Sequence, residues 1–118
     1  MEKLNIPELL SPVGNMDSMY MAVNNGADAI YLGGKDFNAR SSAQNFSYME
    51  IDQIVNYASK RGVKVYITVN TLYKNKELSK VTNFIKDIYN IGVDAFIFQD
   101  IGVANIIKNN LDIPIHIS

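Results

Sequence analysis

The sequence predicts an α/β protein with a parallel βαβαβαβαβ order, and three features carry that expectation. Short apolar runs rich in β-branched and aromatic residues recur along the chain, as in strands covered on both faces. Between them lie stretches with helical spacing that open on helix-start residues. Three glycines, Gly26, Gly62 and Gly92, stand where a helical pattern stops and a strand-like run begins, the place where a left-handed residue ends a helix. Part of the pattern repeats: Gly26-Ala27-Asp28-Ala29 is echoed by Gly92-Val93-Asp94-Ala95, and 66 residues, two βα units, separate the two glycines.

The first strand is expected over Glu8-Leu9-Leu10-Ser11. Asn15 then opens a helix that turns Met16, Met19, Ala22 and Val23 inward, and the run Asp28–Leu32 follows Gly26. Ser47-Tyr48-Met49-Glu50 reads as a capping box, in which the serine takes a free amide and the glutamate reaches back. Ile51, Ile54, Val55 and Ala58 mark the buried face of that second helix, and Lys64–Val69 is the strand after it. Asn75 can cap a third helix striped by Leu78, Val81, Ile85 and Ile88, which leads to the strand Asp94–Phe98. Asp100 opens the fourth helix, with Val103, Ala104 and Ile107 inward, and Pro114–Ser118 is the last strand.

Two architectures use such a string: a flavodoxin-like open sheet, or the first half of an eight-stranded (β/α) barrel of roughly 250 residues. The sequence stops within its last strand with no helix to cover it, which favours the half barrel, a single piece spanning residues 1–118 of a longer parent.

Composition narrows the function classes. The chain is 47% hydrophobic and 19% charged, the balance of a folded domain rather than a disordered segment. Eleven basic against twelve acidic side chains argue against a phosphate-binding surface as the dominant feature. With no cysteine, disulfides, zinc–thiolate sites, iron–sulfur clusters and thiol nucleophiles are excluded from this stretch. Neither a targeting segment nor an apolar run near the roughly 18–20 residues needed to span a bilayer is present, so a cytoplasmic protein is expected.

In both architectures ligands bind at the carboxyl ends of the strands, and those ends are polar here. Gly33–Asn45 is the longest connection, at 13 residues, and carries Asn38, Arg40, Gln44 and Asn45; Arg40 suits a carboxylate or phosphate. Gly33-Gly34 lacks the third glycine and the immediate helix of a dinucleotide loop. Asn70 and Gln99 close adjacent strands and need partners, which makes them candidate substrate contacts together with Arg40 and Asn45. Asp100 is a candidate catalytic carboxylate whose position is also explained by helix capping. His116, the single histidine, is a candidate general base, since imidazole ordinarily titrates near neutrality. No metal constellation accompanies it, and no serine stands in a GxSxG elbow.

Several ordered motifs bear a resemblance. Glu8-Leu9-Leu10-Ser11-Pro12-Val13-Gly14-Asn15, Gly26-Ala27-Asp28-Ala29-Ile30-Tyr31-Leu32-Gly33-Gly34 and Phe37-Asn38-Ala39-Arg40 look like the opening of the peptidase U32 (collagenase-like protease) family. Gln44-Asn45-Phe46-Ser47, Val69-Asn70-Thr71-Leu72, Gly92-Val93-Asp94-Ala95 and Gln99-Asp100-Ile101-Gly102 continue the similarity. Pro114-Ile115-His116-Ile117-Ser118 resembles the family's proline, hydrophobic, histidine, alanine, serine run, with Ile117 where alanine is usual. The resemblance implies a barrel-type N-terminal region and a hydrolase acting on peptide bonds, with collagen degradation ascribed to some members. Other members take part in hydroxylating RNA bases or a quinone ring, and some of those hold an iron–sulfur cluster on cysteines downstream of the region present here. The expectation is thus the N-terminal portion of a U32-type peptidase, inactive alone. The alternatives are part of an RNA-base or quinone hydroxylation protein, or a non-catalytic assembling half barrel. No cofactor is expected in this chain, and an iron–sulfur cluster or metal belongs to the longer parent. A peptide or protein substrate, RNA as its alternative, and a homodimer formed through exposed sheet edges complete the expected partners.

Overall fold

A computed structural model of the chain describes residues 9–33, 46–69, 78–98 and 100–117. Along the chain run β1 (Leu10–Pro12), α1 (Met16–Asn24), β2 (Ala29–Gly33), α2 (Tyr48–Ser59), β3 (Lys64–Val69), α3 (Leu78–Ile91), β4 (Ala95–Phe98), α4 (Ile101–Asn110) and β5 (Ile115–Ile117). The strands form one parallel sheet in the order β1-β2-β3-β4-β5. A doubly wound open sheet reverses its strand order at a switch point, where the helices change faces. This sheet has no reversal, so the flavodoxin-like alternative is set aside. Sequential parallel order, with every crossover of one hand, is the winding of a barrel; the five strands form an unclosed arc of it.

The helices start and stop for local reasons. Ser47 Oγ accepts from Glu50 N (3.2 Å) while Glu50 Oε1 accepts from Ser47 N (2.9 Å), the expected capping box at α2. A second box at α1 has serine in place of the usual Glu or Gln: Asn15 Oδ1 accepts from Ser18 N (2.8 Å), and Ser18 Oγ accepts from Asn15 N (3.2 Å). The proposed cap at Asn75 lies outside the described residues. Gly26, Gly62 and Gly92 have φ of 97°, 74° and 123°, so each takes the left-handed conformation expected after a helix.

Partner residues in a parallel ladder share a face, so the register divides each strand cleanly. One face carries Ile30, Leu32, Val65, Ile67, Val69, Phe96 and Phe98 and packs beneath the helices. Met19 of α1, Ile51 and Ile54 of α2, Phe84, Ile85 and Ile88 of α3, and Ile107 of α4 close over it, all buried. Each large side chain removed from water there contributes about 1.5–3 kcal/mol, which makes this layer the main stabilising term.

The Gly-x-Asp-Ala repeat has a structural counterpart at the amino ends of the strands. Asp28 N donates to Leu9 O (2.9 Å), and Asp28 Oδ2 accepts from Leu9 N (2.8 Å). Asp94 treats Val65 identically: its N donates to Val65 O (2.8 Å) and its Oδ2 accepts from Val65 N (2.8 Å). Each aspartate clips the strand it precedes to the neighbouring strand before it. At the matching position, the first residue of β3, stands Lys64, which keeps the main-chain half of the clip, its N donating to Asp28 O (3.1 Å).

Candidate functional site

The sheet face away from the helices is smaller and more polar. Ala29, Tyr66 and Ala95 form a buried cluster there, with Tyr31 and Ile97 packed against it. Register sets out two rows: Pro12, Tyr31, Tyr66 and Ala95, then Gly33, Thr68, Ile97 and His116 nearer the carboxyl ends. The second row is where a barrel of this winding places its ligand.

His116 is exposed on β5, and its ring lies 5.6 Å, centroid to centroid, from the Tyr66 ring, tilted by 50°. Tyr66 is only 8% exposed, so the phenol is held by the sheet while the imidazole faces outward. Beside them Thr68 Oγ1 donates to Leu32 O (3.4 Å). The result is a ledge on which the exposed His116 ring rests against the buried Tyr66 ring, with Ile97 and Thr68 in the same row as His116 and Tyr31 and Ala95 in the row beneath. Such a surface can stack a planar group and offer it hydrogen bonds.

Asp100 does what its capping position requires: its Oδ1 accepts from Val103 N (3.2 Å) at the start of α4. Among the described residues it shares no hydrogen bond with His116, so the two catalytic candidates are not a coupled pair here. Arg40, Asn45, Asn70 and Gln99 lie outside the described residues; Asn70 and Gln99 follow directly in sequence on Val69 and Phe98, the last residues of β3 and β4. Sequence reasoning missed Tyr66, Thr68 and Tyr31. Their signal is alternation within apolar strands, Tyr66 and Thr68 between Val65, Ile67 and Val69, which marks one face of β3 as different from the other.

Among the described residues no group of three or more His, Cys, Asp or Glu side chains could hold a metal ion. An iron–sulfur cluster is held by cysteine thiolates, and this chain has none, so its own residues do not fit such a group. No helix among the described residues is long and apolar enough to cross a membrane.

Comparison with known proteins identifies relatives of the chain. The 23S rRNA 5-hydroxycytidine C2501 synthase of Escherichia coli K12 is 41% identical over 107 residues, covering 91% of this chain and 16% of that protein. The tRNA hydroxylation protein P1 of Bacillus subtilis 168 is 37% identical over 94 residues, covering 80% of this chain and 22% of that protein. The chain therefore spans about a fifth of the length of these relatives. Among solved structures, the U32 peptidase Mk0906 superposes with a TM-score of 0.77 over the whole chain and 51% of its own, at 15% identity, which shows a shared fold. The profile described as Peptidase family U32 matches residues 14–118, and the chain belongs to that family.

Proposed function

We propose that this chain is the substrate-facing N-terminal half barrel of a protein that hydroxylates an RNA base. The observation that carries the reading is the ledge of His116 against Tyr66, with Thr68 beside it, at the carboxyl ends of the strands. Unstacked RNA bases are taken up on aromatic and imidazole planes and read by hydrogen bonds at their edges. The relatives at 41% and 37% identity, named for rRNA and tRNA hydroxylation, support the same reading. In it the exposed His116 ring stacks on the base, and the buried Tyr66 ring backs the imidazole. Arg40, Asn45, Asn70 and Gln99 supply further substrate contacts, and Asp100 keeps its place as the α4 cap. Hydroxylation also needs an oxidising centre, which the rest of the full-length protein must supply. An RNA substrate supports a cytoplasmic protein.

The family name supports a second reading, peptide-bond hydrolysis. That chemistry needs an activated nucleophile or metal-bound water together with oxyanion stabilisation. Among the described residues no hydroxyl is hydrogen-bonded to His116 or Asp100.

The test is genetic and chemical. Deleting the gene in its host should remove one hydroxylated nucleoside from digested rRNA or tRNA, read by mass spectrometry. The full-length gene should restore it and a His116→Ala version should not. An unchanged nucleoside profile, together with peptide cleavage by the purified full-length protein, would replace this reading with the hydrolase. For the isolated chain we expect self-association through the outer edges of β1 and β5, which have no partner strand among the described residues. A monomer in light scattering at high concentration overturns that expectation.

A further inference from the structure

A second cluster lies over the last turns of α1 and α2, at the opposite end of the strands from His116. The Arg61 guanidinium carbon stands 3.6 Å from the centroid of the Tyr57 ring, and Arg61 Nη1 donates to Tyr57 O (3.0 Å). The Tyr57 ring meets Tyr20 edge-on, with centroids 4.7 Å apart and planes at 90°, and its hydroxyl donates to Asn24 Oδ1 (2.7 Å). Tyr20, Gln53, Asn56, Tyr57, Lys60 and Arg61 line an open groove of about 500 Å³.

We propose that this groove is a docking surface for a single-stranded segment of RNA, separate from the base-holding ledge; the inference rests on the RNA reading above. Three features point there. The lining has two cations, two side-chain amides and two phenols but no carboxylate, and among the described residues neither Lys60 nor Arg61 forms an ion pair. In a chain of formal charge −1 this is a local departure in the direction a phosphate requires. Next, cations at a helix C-terminus are explained by the helix dipole alone, but that role needs no ring beneath them. Here the guanidinium carbon lies 3.6 Å over the Tyr57 ring and Arg61 is exposed, so the guanidinium can offer its solvent side to a nucleobase, a surface on which bases stack. Finally, the stack is already held by Asn24, Tyr20 and the Tyr57 carbonyl, so binding orders little that is not ordered before it. Arg61 receives a base, Lys60 a phosphate, and Gln53 and Asn56 offer hydrogen bonds to base edges or ribose.

The experiment measures fluorescence anisotropy of a labelled mixed-sequence RNA of about 16 nucleotides, the upper range of a single-strand site, with the full-length protein across a salt series. Arg61→Ala should weaken binding about tenfold, the lower half of what a base–side-chain stack is worth. Lys60→Ala should lower the salt slope by about 0.7, the share of one single-strand phosphate. Arg61→Lys should keep the salt slope and lose most of the affinity, because it keeps the charge and removes the plane. Unchanged far-UV circular dichroism shows that these exposed substitutions leave the fold intact. The inference is overturned if both alanine variants bind as wild type, if Arg61→Lys binds as wild type, or if heparin competes as well as unlabelled RNA. Wild-type protein that binds no RNA overturns it together with the RNA substrate, whereas wild-type binding with unaffected variants overturns this surface alone.

Discussion

Among Gly26, Gly62, Gly92 and Gly102, Gly92 is the position at which one added methyl group should cost most. Its φ of 123° lies well past the left-handed well near 57° that other residues can occupy. Holding an alanine in so sparsely populated a region costs about 1–3 kcal/mol. The new Cβ would also stand 3.1 Å from Val55 Cγ1, inside ordinary contact distance. Val55 is a β-branched residue of α2, 9% exposed and packed in the core, so it yields poorly, and such overpacking adds about 1–3 kcal/mol. Against this, alanine restricts the unfolded chain, returning about 0.4–1 kcal/mol. The net expectation for Gly92→Ala is a loss of about 3 kcal/mol. Gly62 is the internal control: its φ of 74° is near the left-handed well and no atom stands within 4 Å of the added Cβ. Gly62→Ala should cost about 1 kcal/mol or less. Urea titration of the 118-residue chain reads the difference as a midpoint shift at constant slope. A double-mutant cycle with Val55→Ala, which removes Cγ1, should recover at least about 0.5 kcal/mol of the Gly92→Ala loss. Equal midpoints for the two glycine variants, or no coupling to Val55, would refute the steric argument.

Three further outcomes follow from the geometry. Asp94→Ala should cost about 1 kcal/mol and raise the exchange rate of the Val65 amide; Asp94→Asn, which retains an acceptor oxygen, should cost less, and hydrogen exchange by NMR reads both. Ser47→Ala should lose about 1 kcal/mol by opening the α2 capping box, measured as a urea midpoint. Asp100→Asn separates a cap from a catalytic carboxylate: as a cap it leaves both stability and full-length activity near wild type, because the amide oxygen still accepts from Val103 N. Loss of activity with unchanged stability would assign the carboxylate a chemical role.

How far the sequence reaches differs between fold and site, for physical reasons. Gly26, Gly62 and Gly92, the Ser47–Glu50 box and the Asp100 cap are local devices, written in a few adjacent residues, and each appears where expected. The first strand is offset: the sequence predicts residues 8–11, of which Glu8 lies outside the described residues, and the strand runs Leu10–Pro12, where Pro12 pairs with Tyr31 at an edge that tolerates proline. The Asn15–Ser18 box escapes a pattern that looks for Glu or Gln three residues on. Phe84 falls outside the spacing Leu78, Val81, Ile85, Ile88 and is buried all the same, because the apolar face of α3 also takes in position 84. The clips made by Asp28 and Asp94, and the ledge of Tyr66, Thr68 and His116, are products of cross-strand register. That register joins residues from separate strands and is set by tertiary packing, so no short window contains it.

Sequential strand order has a bearing on how the molecule is made. Paired residues in adjacent strands, such as Pro12 with Tyr31, Tyr31 with Tyr66, Tyr66 with Ala95 and Phe96 with Ile115, lie only 19 to 35 residues apart in the chain. Each strand leaving the ribosome finds its neighbour already synthesised, and no loop closure spans more than one βα unit. Vectorial assembly from the amino end is therefore open to this chain. Such a sheet grows at its β5 edge, so β5, which follows the other four strands in the chain and carries His116, completes the ledge as it docks.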